Sequence, residues 1–251
     1  MAAAKSTKKP AAAKKKPATA AAVPVEKQVQ EALAWLKRHG TKARRDGMAR
    51  YGIPLGNAYG VTMPDIQKLG KRYGKNHELA LALWDTGQYE ARLLCAYVDD
   101  PAAVTPAQMD RWARGFDSWA VCDTICFSLF DRTPHAWKKV EQWAGKRDEF
   151  VKRAAFAMLA SLTIHDRDAE PALFLRGLEL IEREAGDARN FVSKAINWAL
   201  RSIGKKRNPL FRKAAVAVAE RLAASPEAAP RWVGKDALRD IAKAAARTKA
   251  G

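Results

Sequence analysis

The strongest constraint on the fold is an eight-residue pattern that occurs three times in the second half of the chain. Residues 152–159 read KRAAFAML, residues 193–200 read SKAINWAL and residues 212–219 read RKAAVAVA. Each copy has a basic residue within its first two positions and continues with small and apolar residues. Arg153 and Lys194 are 41 positions apart, which matches the period of about 40–47 residues of HEAT-type helix pairs. The pattern predicts helix pairs stacked into a solenoid.

The rest of the sequence is also typical of helices. Val25, Val29, Leu33 and Leu36 have the spacing of one helical face. This predicted helix ends before Gly40. No segment alternates between apolar and polar residues over the length of a strand, and no Asn-Gly or Asp-Gly turn joins two such segments. We therefore predict an all-α domain over residues 25–251, an α-solenoid of HEAT-like helix pairs with a concave basic groove.

Three threonines mark predicted helix starts, because a threonine hydroxyl accepts a hydrogen bond from the open first turn of a helix. Thr62 is followed by Pro64 and, three positions on, by Asp65. Thr105 and Thr133 are each followed directly by a proline. Proline is favoured at the first helical position, where its missing N–H removes no hydrogen bond. We expect a helix to begin directly after each threonine.

Residues 1–24 differ in composition from the rest of the chain. They contain six lysines, no acidic residue and otherwise only Met, Ala, Ser, Thr, Pro and Val. Such a segment has too little apolar surface to form a core, so we predict a disordered, basic tail. We interpret the tail as a tether that adds non-specific contacts to phosphates. The alternative is a solvated, dispensable extension.

The balance of charge indicates a polyanionic partner. The chain has 45 Lys and Arg against 27 Asp and Glu, a formal net charge of +18. Without the six lysines of the tail, 39 basic residues still outnumber 27 acidic ones. If the basic residue of each repeat begins an inner helix, the concave face becomes a positive groove that suits DNA. The alternatives are basic residues on a solvated face and a protein-binding scaffold, which needs no such excess of positive charge.

Several classes of protein are disfavoured by what the sequence lacks. No apolar run approaches the roughly 18 residues that a membrane-spanning helix needs. The three cysteines, an odd number, argue against a disulfide framework and for a reducing compartment. The four histidines are scattered, and no His or Cys cluster has the spacing of a zinc site. We expect no metal, no cofactor, no membrane contact, and a cytoplasmic or nucleoid location of the bacterial intracellular type.

One short segment, FDSWAVCD, combines aromatic and acidic residues at helical spacing and ends at Asp123. Trp119 and Asp123 are four positions apart, so on one helix their side chains project side by side. Asp117 and Ser118 are expected to cap the start of this helix. An apolar run follows Asp123, and a carboxylate beside buried positions is costly unless it has a partner or a chemical role. From spacing alone, the alternative is a surface aspartate beside a core tryptophan.

Seven short motifs are spread over most of the chain. They are MARY at 48–51, GVTMP at 60–64, LWD at 83–85, EA at 90–91, Trp119 with Asp123, RAA at 153–155 and KAINWALR at 194–201. In this order and at these spacings they resemble the AlkD family of HEAT-like-repeat alkylpurine DNA glycosylases, which are DNA alkylation repair proteins. The resemblance covers roughly residues 45–220.

The resemblance implies three catalytic residues, Asp123, Trp119 and Trp198. In the family, the corresponding side chains and an arginine line the concave face where the damaged nucleotide lies. A carboxylate there stabilises the positive charge that develops on the deoxyribose and orients or deprotonates the attacking water. The two indole faces are expected to contact the sugar and the cationic base. The other six tryptophans are expected mostly in the core.

Three basic residues are candidates for contacts with the DNA backbone. The resemblance places Arg153 at the damaged nucleotide, where its planar fork can grip a phosphate. Lys194 is interpreted as a phosphate contact, and Arg201, seven positions later, is expected on the same helix face. The implied partner is double-stranded DNA that contains alkylated purines, and a groove of this kind works as a monomer.

The implied activity is hydrolysis of the N-glycosidic bond of cationic N3- or N7-alkylated purines, without flipping the base out of the duplex. No matched motif offers a nucleophile for strand cleavage. The expected product is therefore an abasic site, and the enzyme is expected to be a monofunctional glycosylase. The alternative is a non-catalytic HEAT-repeat protein that binds damaged or branched DNA. The carboxylate at position 123 favours the enzyme.

Overall fold

The structure, a computed structural model, describes the backbone of residues 23–250 and the side chains of residues 23–247. This part of the chain forms thirteen α-helices and two 3-10 turns, and it contains no strand. The α-helices are α1 Val25–His39, α2 Lys42–Met48, α3 Met63–Tyr73, α4 His77–Asp85, α5 Tyr89–Val98, α6 Pro106–Arg114, α7 Trp119–Ser128, α8 Ala136–Ala144, α9 Glu149–His165, α10 Pro171–Glu184, α11 Asn190–Gly204, α12 Pro209–Ala223 and α13 Ala228–Ala250. The 3-10 turns are Ala49–Tyr51 and Phe130–Arg132. The predicted disordered tail, residues 1–24, lies outside the described residues except for its last two.

The helices stack in two layers. The inner layer consists of α3, α5, α7, α9, α11 and α13, each of which packs against the next. In the outer layer, α8 packs against α9 and α10, and α12 packs against α10 and α13. The predicted all-α solenoid is therefore confirmed. Within residues 23–250, no helix combines the length and the apolar character that crossing a bilayer requires.

Helix α9 is the central element of the core. Every residue in the span 151–163 is buried, because α9 packs against α7, α8 and α11. A charged side chain on such a helix needs a partner. Lys152 has two, since its Nζ lies 2.6 Å from Glu184 Oε2 and 3.0 Å from Asp187 Oδ2. The adjacent Arg153 also has a partner, which lies in the candidate functional site.

The three copies of the eight-residue pattern are not equivalent. The copies at 152–159 and 193–200 lie in α9 and α11, which are adjacent inner helices. The copy at 212–219 lies in α12, which belongs to the outer layer. The expectation that each copy begins an inner helix is wrong for this third copy. Its small and apolar residues suit any helix that packs closely on both sides.

The threonine caps are confirmed for two of three helices. The hydroxyls of Thr62 and Thr105 accept the N–H of the third residue of α3 and α6, at 3.3 and 3.1 Å. Thr133 does not cap a helix, and the prediction for it was wrong. Its hydroxyl donates to the carbonyl of Phe130 at 2.8 Å and ends a 3-10 turn, so α8 begins only at Ala136.

A buried carboxylate fixes the loop between α2 and α3. Glu90, which is fully buried, accepts backbone N–H groups from Tyr59 at 2.9 Å, Gly60 at 2.7 Å and Val61 at 3.3 Å. Gly60 has φ +81°, and a Cβ there would lie 2.4 Å from the carbonyl oxygen of Thr41. Glu90 and Gly60 thus hold in place a loop whose beginning borders the candidate site.

Five of the six tryptophans outside the predicted site pack into the protein, as expected. Three of them are buried, namely Trp84, Trp112 and Trp143. Two are partly buried against the core, namely Trp35 and Trp137. The rings of Trp84 and Trp112 stack with their centroids 4.4 Å apart. The exception is Trp232 on α13, whose side chain is 44% exposed.

Candidate functional site

The inner helices α7, α9 and α11 border an open cleft of about 520 Å³. Four of the six predicted site residues line it, namely Trp119, Asp123, Arg153 and Lys194. The remaining lining residues are Arg50, Tyr51, Gly52, Asn190 and Phe191. The structure therefore brings together three aromatic rings, one carboxylate and three cations from segments far apart in the sequence.

A bidentate ion pair between Asp123 of α7 and Arg153 of α9 lies at the centre of this cleft. Arg153 Nε donates to Asp123 Oδ1 at 2.8 Å, and Arg153 Nη2 donates to Asp123 Oδ2 at 2.6 Å. The Asp123 side chain is 18% exposed and that of Arg153 only 7%. The carboxylate is thus the member of the pair that is more accessible from the cleft.

Burial raises the pKa of the Asp123 carboxyl above its ordinary value, and the hydrogen bonds and charge of Arg153 oppose this rise only in part. Burial alone would lower the pKa of Arg153, but the contacts with Asp123 raise it, so the guanidinium stays charged. Asp123 is therefore a stronger base than an exposed aspartate. It also begins to lose its charge at a higher pH than an exposed aspartate when the solution is acidified.

The third nitrogen of the Arg153 guanidinium also donates a hydrogen bond. Nη1 donates to the backbone carbonyl of Phe191 at 2.5 Å, at the start of α11. Arg153 was expected to grip a DNA phosphate with its fork, but here the fork holds Asp123. This geometry makes Arg153 a link between α7, α9 and α11 that orients the carboxylate.

Trp119 is tied to the turn that follows α2. Its indole Nε1 donates to the carbonyl of Tyr51 at 2.8 Å. The next residue, Gly52, has φ +69°, and a Cβ on it would lie 3.2 Å from the ring of Phe191. A left-handed conformation this close to Phe191 favours glycine. The turn therefore forms one wall of the cleft, and the exposed ring of Tyr51 stands at its mouth.

Two cations lie at the mouth of the cleft. Lys194, near the start of α11, is exposed and forms no ion pair with any residue of the described chain. Arg50 donates from Nε to the carbonyl of Gly47 at 3.0 Å, and its guanidinium carbon lies 5.7 Å from the centre of the Tyr51 ring. Both are available to an anionic ligand such as a phosphate.

Two predicted site residues do not line the cleft. Trp198 lies one helical turn beyond Lys194, and its ring stacks against Phe127 with centroids 6.4 Å apart and an angle of 16°. The Trp198–Phe127 pair adjoins the cleft, since Phe127 is one turn beyond Asp123 on α7. Arg201 lies further away, where its Nη1 is 3.6 Å from Asp240 Oδ2 of α13. Nothing in this placement favours the DNA contact expected of Arg201.

Asp117, the other carboxylate of the FDSWAVCD segment, is not part of the cleft. Its side chain is 54% exposed and lies 3.3 Å from Arg92 Nη1. Ser118 alone caps α7, because its Oγ accepts the N–H of Val121 at 3.4 Å. The expectation that both residues cap the helix is therefore correct for Ser118 only. Asp117 provides a matched control for substitutions of Asp123.

The turn after α2 and the start of α11 contribute lining residues that were not predicted from the sequence. Arg50 and Tyr51 belong to the MARY motif, which was recognised without a role in the site. Phe127 could have been found from its spacing, because it follows Asp123 by four positions on a helix. No sequence signal distinguishes Asn190 or Phe191, since their place in the cleft depends on how α11 packs against α9.

Fold and site together define a HEAT-like α-solenoid with a charged cleft on its inner layer. The chain matches the model of a family described as DNA alkylation repair enzyme over residues 32–241. It therefore belongs to the DNA alkylation repair enzyme family, and the resemblance to the AlkD family is confirmed. No match is found among curated proteins.

Two solved structures are similar to this chain. One is described as "A new family of proteins related to the HEAT-like repeat DNA glycosylases with affinity for branched DNA structures", and the similarity has a TM-score of 0.74 at 19% sequence identity. It covers 88% of this chain and 94% of that chain, and it shows a shared fold. The other is "Designed armadillo repeat protein YIII(Dq)4CqI", with a TM-score of 0.31, 14% identity and coverage of 70% and 91%.

Proposed function

We propose that the protein is a monofunctional DNA glycosylase that acts as a monomer on double-stranded DNA and releases cationic N3- or N7-alkylated purines. The observation that carries this proposal is the Asp123 carboxylate, held by two hydrogen bonds from Arg153 and accessible from a cleft with Trp119 and Lys194 on its walls. Because the chain belongs to the DNA alkylation repair enzyme family, we assign its reaction to the repair of alkylated DNA.

The reaction is the hydrolysis of one bond. The bond between C1′ of the deoxyribose and the purine nitrogen breaks, and its electron pair neutralises the positive charge of the alkylated base. The sugar develops oxocarbenium character, which the negative charge of Asp123 stabilises. Asp123 also accepts a proton from the water whose oxygen bonds to C1′. The products are the free base and an abasic site in an intact strand.

The aromatic residues have a complementary role in this proposal. Trp119 is oriented by its hydrogen bond to Tyr51, so its ring is fixed before the ligand arrives. Trp198 is held against Phe127, one turn along the inner face. An indole face near the cationic base or sugar contributes roughly 1–2 kcal/mol where water is excluded. Arg153 acts as a positioning residue, because Asp123 and the Phe191 carbonyl accept hydrogen bonds from all three of its guanidinium nitrogens.

The shape of the cleft favours a reaction on the duplex without base flipping. A flipped base needs a closely fitting pocket that reads its edge and stacks on both of its faces. This cleft is open, and its charged side chains are those of Asp123, Arg153, Arg50 and Lys194. Such groups suit the sugar and the phosphates of a strand that passes along the surface.

A first prediction concerns the charge of the lesion. Without a pocket that reads the base, selectivity depends on the weakness of the glycosidic bond itself. We expect release of cationic 7-methylguanine to be at least about tenfold faster than release of uncharged 8-oxoguanine from the same duplex sequence. Single-turnover release of free base, measured for both lesions, checks this. Equal rates for the two lesions would show that the base is recognised directly.

A second prediction concerns residues 1–24. If their six lysines bind phosphates, deletion of the segment lowers affinity for undamaged duplex DNA. It also flattens the plot of log affinity against log salt concentration, by about 0.9 for each phosphate that the tail neutralises. The measurement is a salt titration of binding by fluorescence anisotropy. An unchanged slope would show that the tail does not touch phosphates.

The second candidate function is non-catalytic binding of damaged or branched DNA. It is favoured by the solved structure of similar fold, whose description names affinity for branched DNA structures. The basic cleft suits either function. The two are distinguished by whether free base is released.

A further inference from the structure

A second cleft lies between the N-terminal ends of α11 and α13. It has a volume of about 330 Å³ and is lined by Asn190, Ser193, Lys194 and Trp232, with three alanines as its other walls. We call it the α11–α13 cleft. Asn190 and Lys194 also line the cleft that contains Asp123. The two clefts are therefore neighbours along the inner layer, on either side of Asn190 and Lys194.

Trp232 is the most distinctive residue of the α11–α13 cleft. Its side chain is 44% exposed, whereas Trp84, Trp112 and Trp143 are buried. No aromatic ring of the described chain stacks on it. An exposed indole on a mostly apolar wall of alanines is a surface on which a flat, apolar face can be buried. The three alanines offer no side-chain hydrogen bonds, and the polar side chains of the lining, Asn190, Ser193 and Lys194, all come from α11.

The charges around the cleft suit a phosphate backbone. Lys194 and Lys235 are exposed, and neither forms an ion pair within the described residues. Lys235 follows Trp232 by less than one helical turn. Two of the nearby carboxylates, Asp187 and Asp236, are already paired with arginines. Glu227, just before α13, is exposed and is not paired with any described cation. The positive charge of the two lysines exceeds the negative charge of this one unpaired carboxylate.

We propose that the α11–α13 cleft binds an unpaired nucleotide of DNA, with its base stacked on Trp232 and its phosphates near Lys194 and Lys235. The base must be unpaired, because the faces of a base inside a duplex are covered by its neighbours. Stacking on an aromatic side chain is tolerant of sequence and contributes about 1–3 kcal/mol per base. The proposal rests on the proposed function in one respect, that the cleft with Asp123 holds DNA. It adds a preference for DNA with a single-stranded branch beside the bound duplex.

The test compares two undamaged DNA ligands of the same paired sequence, one fully duplex and one with an unpaired arm. The full-length chain is used as wild type, Trp232→Ala, Trp232→Phe and a control, Leu210→Ala. Leu210 is 48% exposed on the outer helix α12, away from both clefts. We expect Trp232→Ala to lower the ratio of forked-DNA to duplex affinity about tenfold, which is 1.4 kcal/mol, and Trp232→Phe to lower it less. The control should keep the wild-type ratio.

A second measurement detects the stacked base directly. A 2-aminopurine placed in the unpaired arm should lose fluorescence when the wild-type protein binds, and lose much less with Trp232→Ala at saturating protein. The proposal is overturned if Trp232→Ala leaves the affinity ratio unchanged, or if the quenching is the same in both proteins. Neither measurement uses base release, so this proposal and the glycosylase proposal can fail independently.

Discussion

Replacing Asp123 with asparagine is expected to slow release of 7-methylguanine from duplex DNA by about 10²- to 10⁴-fold, the range typical of a general base. Asparagine keeps the size of the side chain but has no negative charge and cannot accept a proton from water. The oxocarbenium-like sugar then loses its nearest counter-charge. Single-turnover release of the free base from a duplex with one lesion measures the effect.

The matched control for this substitution is Asp117→Asn. Asp117 is two positions before Trp119, is 54% exposed and contacts Arg92 outside the cleft. Its loss should leave base release within about twofold of wild type, since a surface ion pair contributes at most about 1 kcal/mol. The affinity of both variants for undamaged duplex should stay close to that of wild type. Undiminished release by Asp123→Asn would remove this carboxylate from the mechanism.

Replacing Arg153 with glutamine is expected to destabilise the protein by about 3 kcal/mol near neutral pH, because it leaves the Asp123 charge buried without its partner. The donors to Asp123 and to the Phe191 carbonyl are lost together. Denaturant unfolding measures this change. The loss should shrink as the pH falls through the pKa of Asp123, since a protonated carboxyl needs no cation.

The same substitution should also change the pH dependence of base release. Burial already raises the pKa of Asp123, and Arg153 opposes that rise. Without the guanidinium the pKa of Asp123 rises further, so the acid limb of the rate profile moves to higher pH. Arg153→Lys, which keeps the charge but not the fork, should give an intermediate shift. A rate that falls equally at every pH would show that Arg153 acts on packing alone.

The fold was largely predictable because helix formation depends on local spacing. The apolar face of α1 and the caps at Thr62 and Thr105 depend only on neighbouring residues. The error at Thr133 has the same origin, since its hydroxyl donates to the carbonyl of Phe130 and accepts an N–H only from His135, which precedes α8. The third repeat copy was misplaced because small and apolar residues fit an inner or an outer helix equally well.

The site was predictable only in part. Trp119 and Asp123 share a helix, so their proximity follows from a spacing of four. The partnership of Arg153 with Asp123 joins residues 30 positions apart, and spacing does not encode it. Arg201 was predicted from its spacing to Lys194, but its side chain lies beside Asp240 on α13. Long-range packing of the inner helices determined the positions of Arg153 and Arg201.

The most direct test of the central claim is release of 7-methylguanine by the wild-type protein from a duplex that contains one such lesion. Protein in excess over DNA gives a single turnover, and free base and abasic sites are counted in parallel. We predict stoichiometric free base and an equal number of abasic sites in uncleaved strands. Tight, salt-sensitive binding without any release of base would contradict the claim and establish a DNA-binding protein without glycosylase activity.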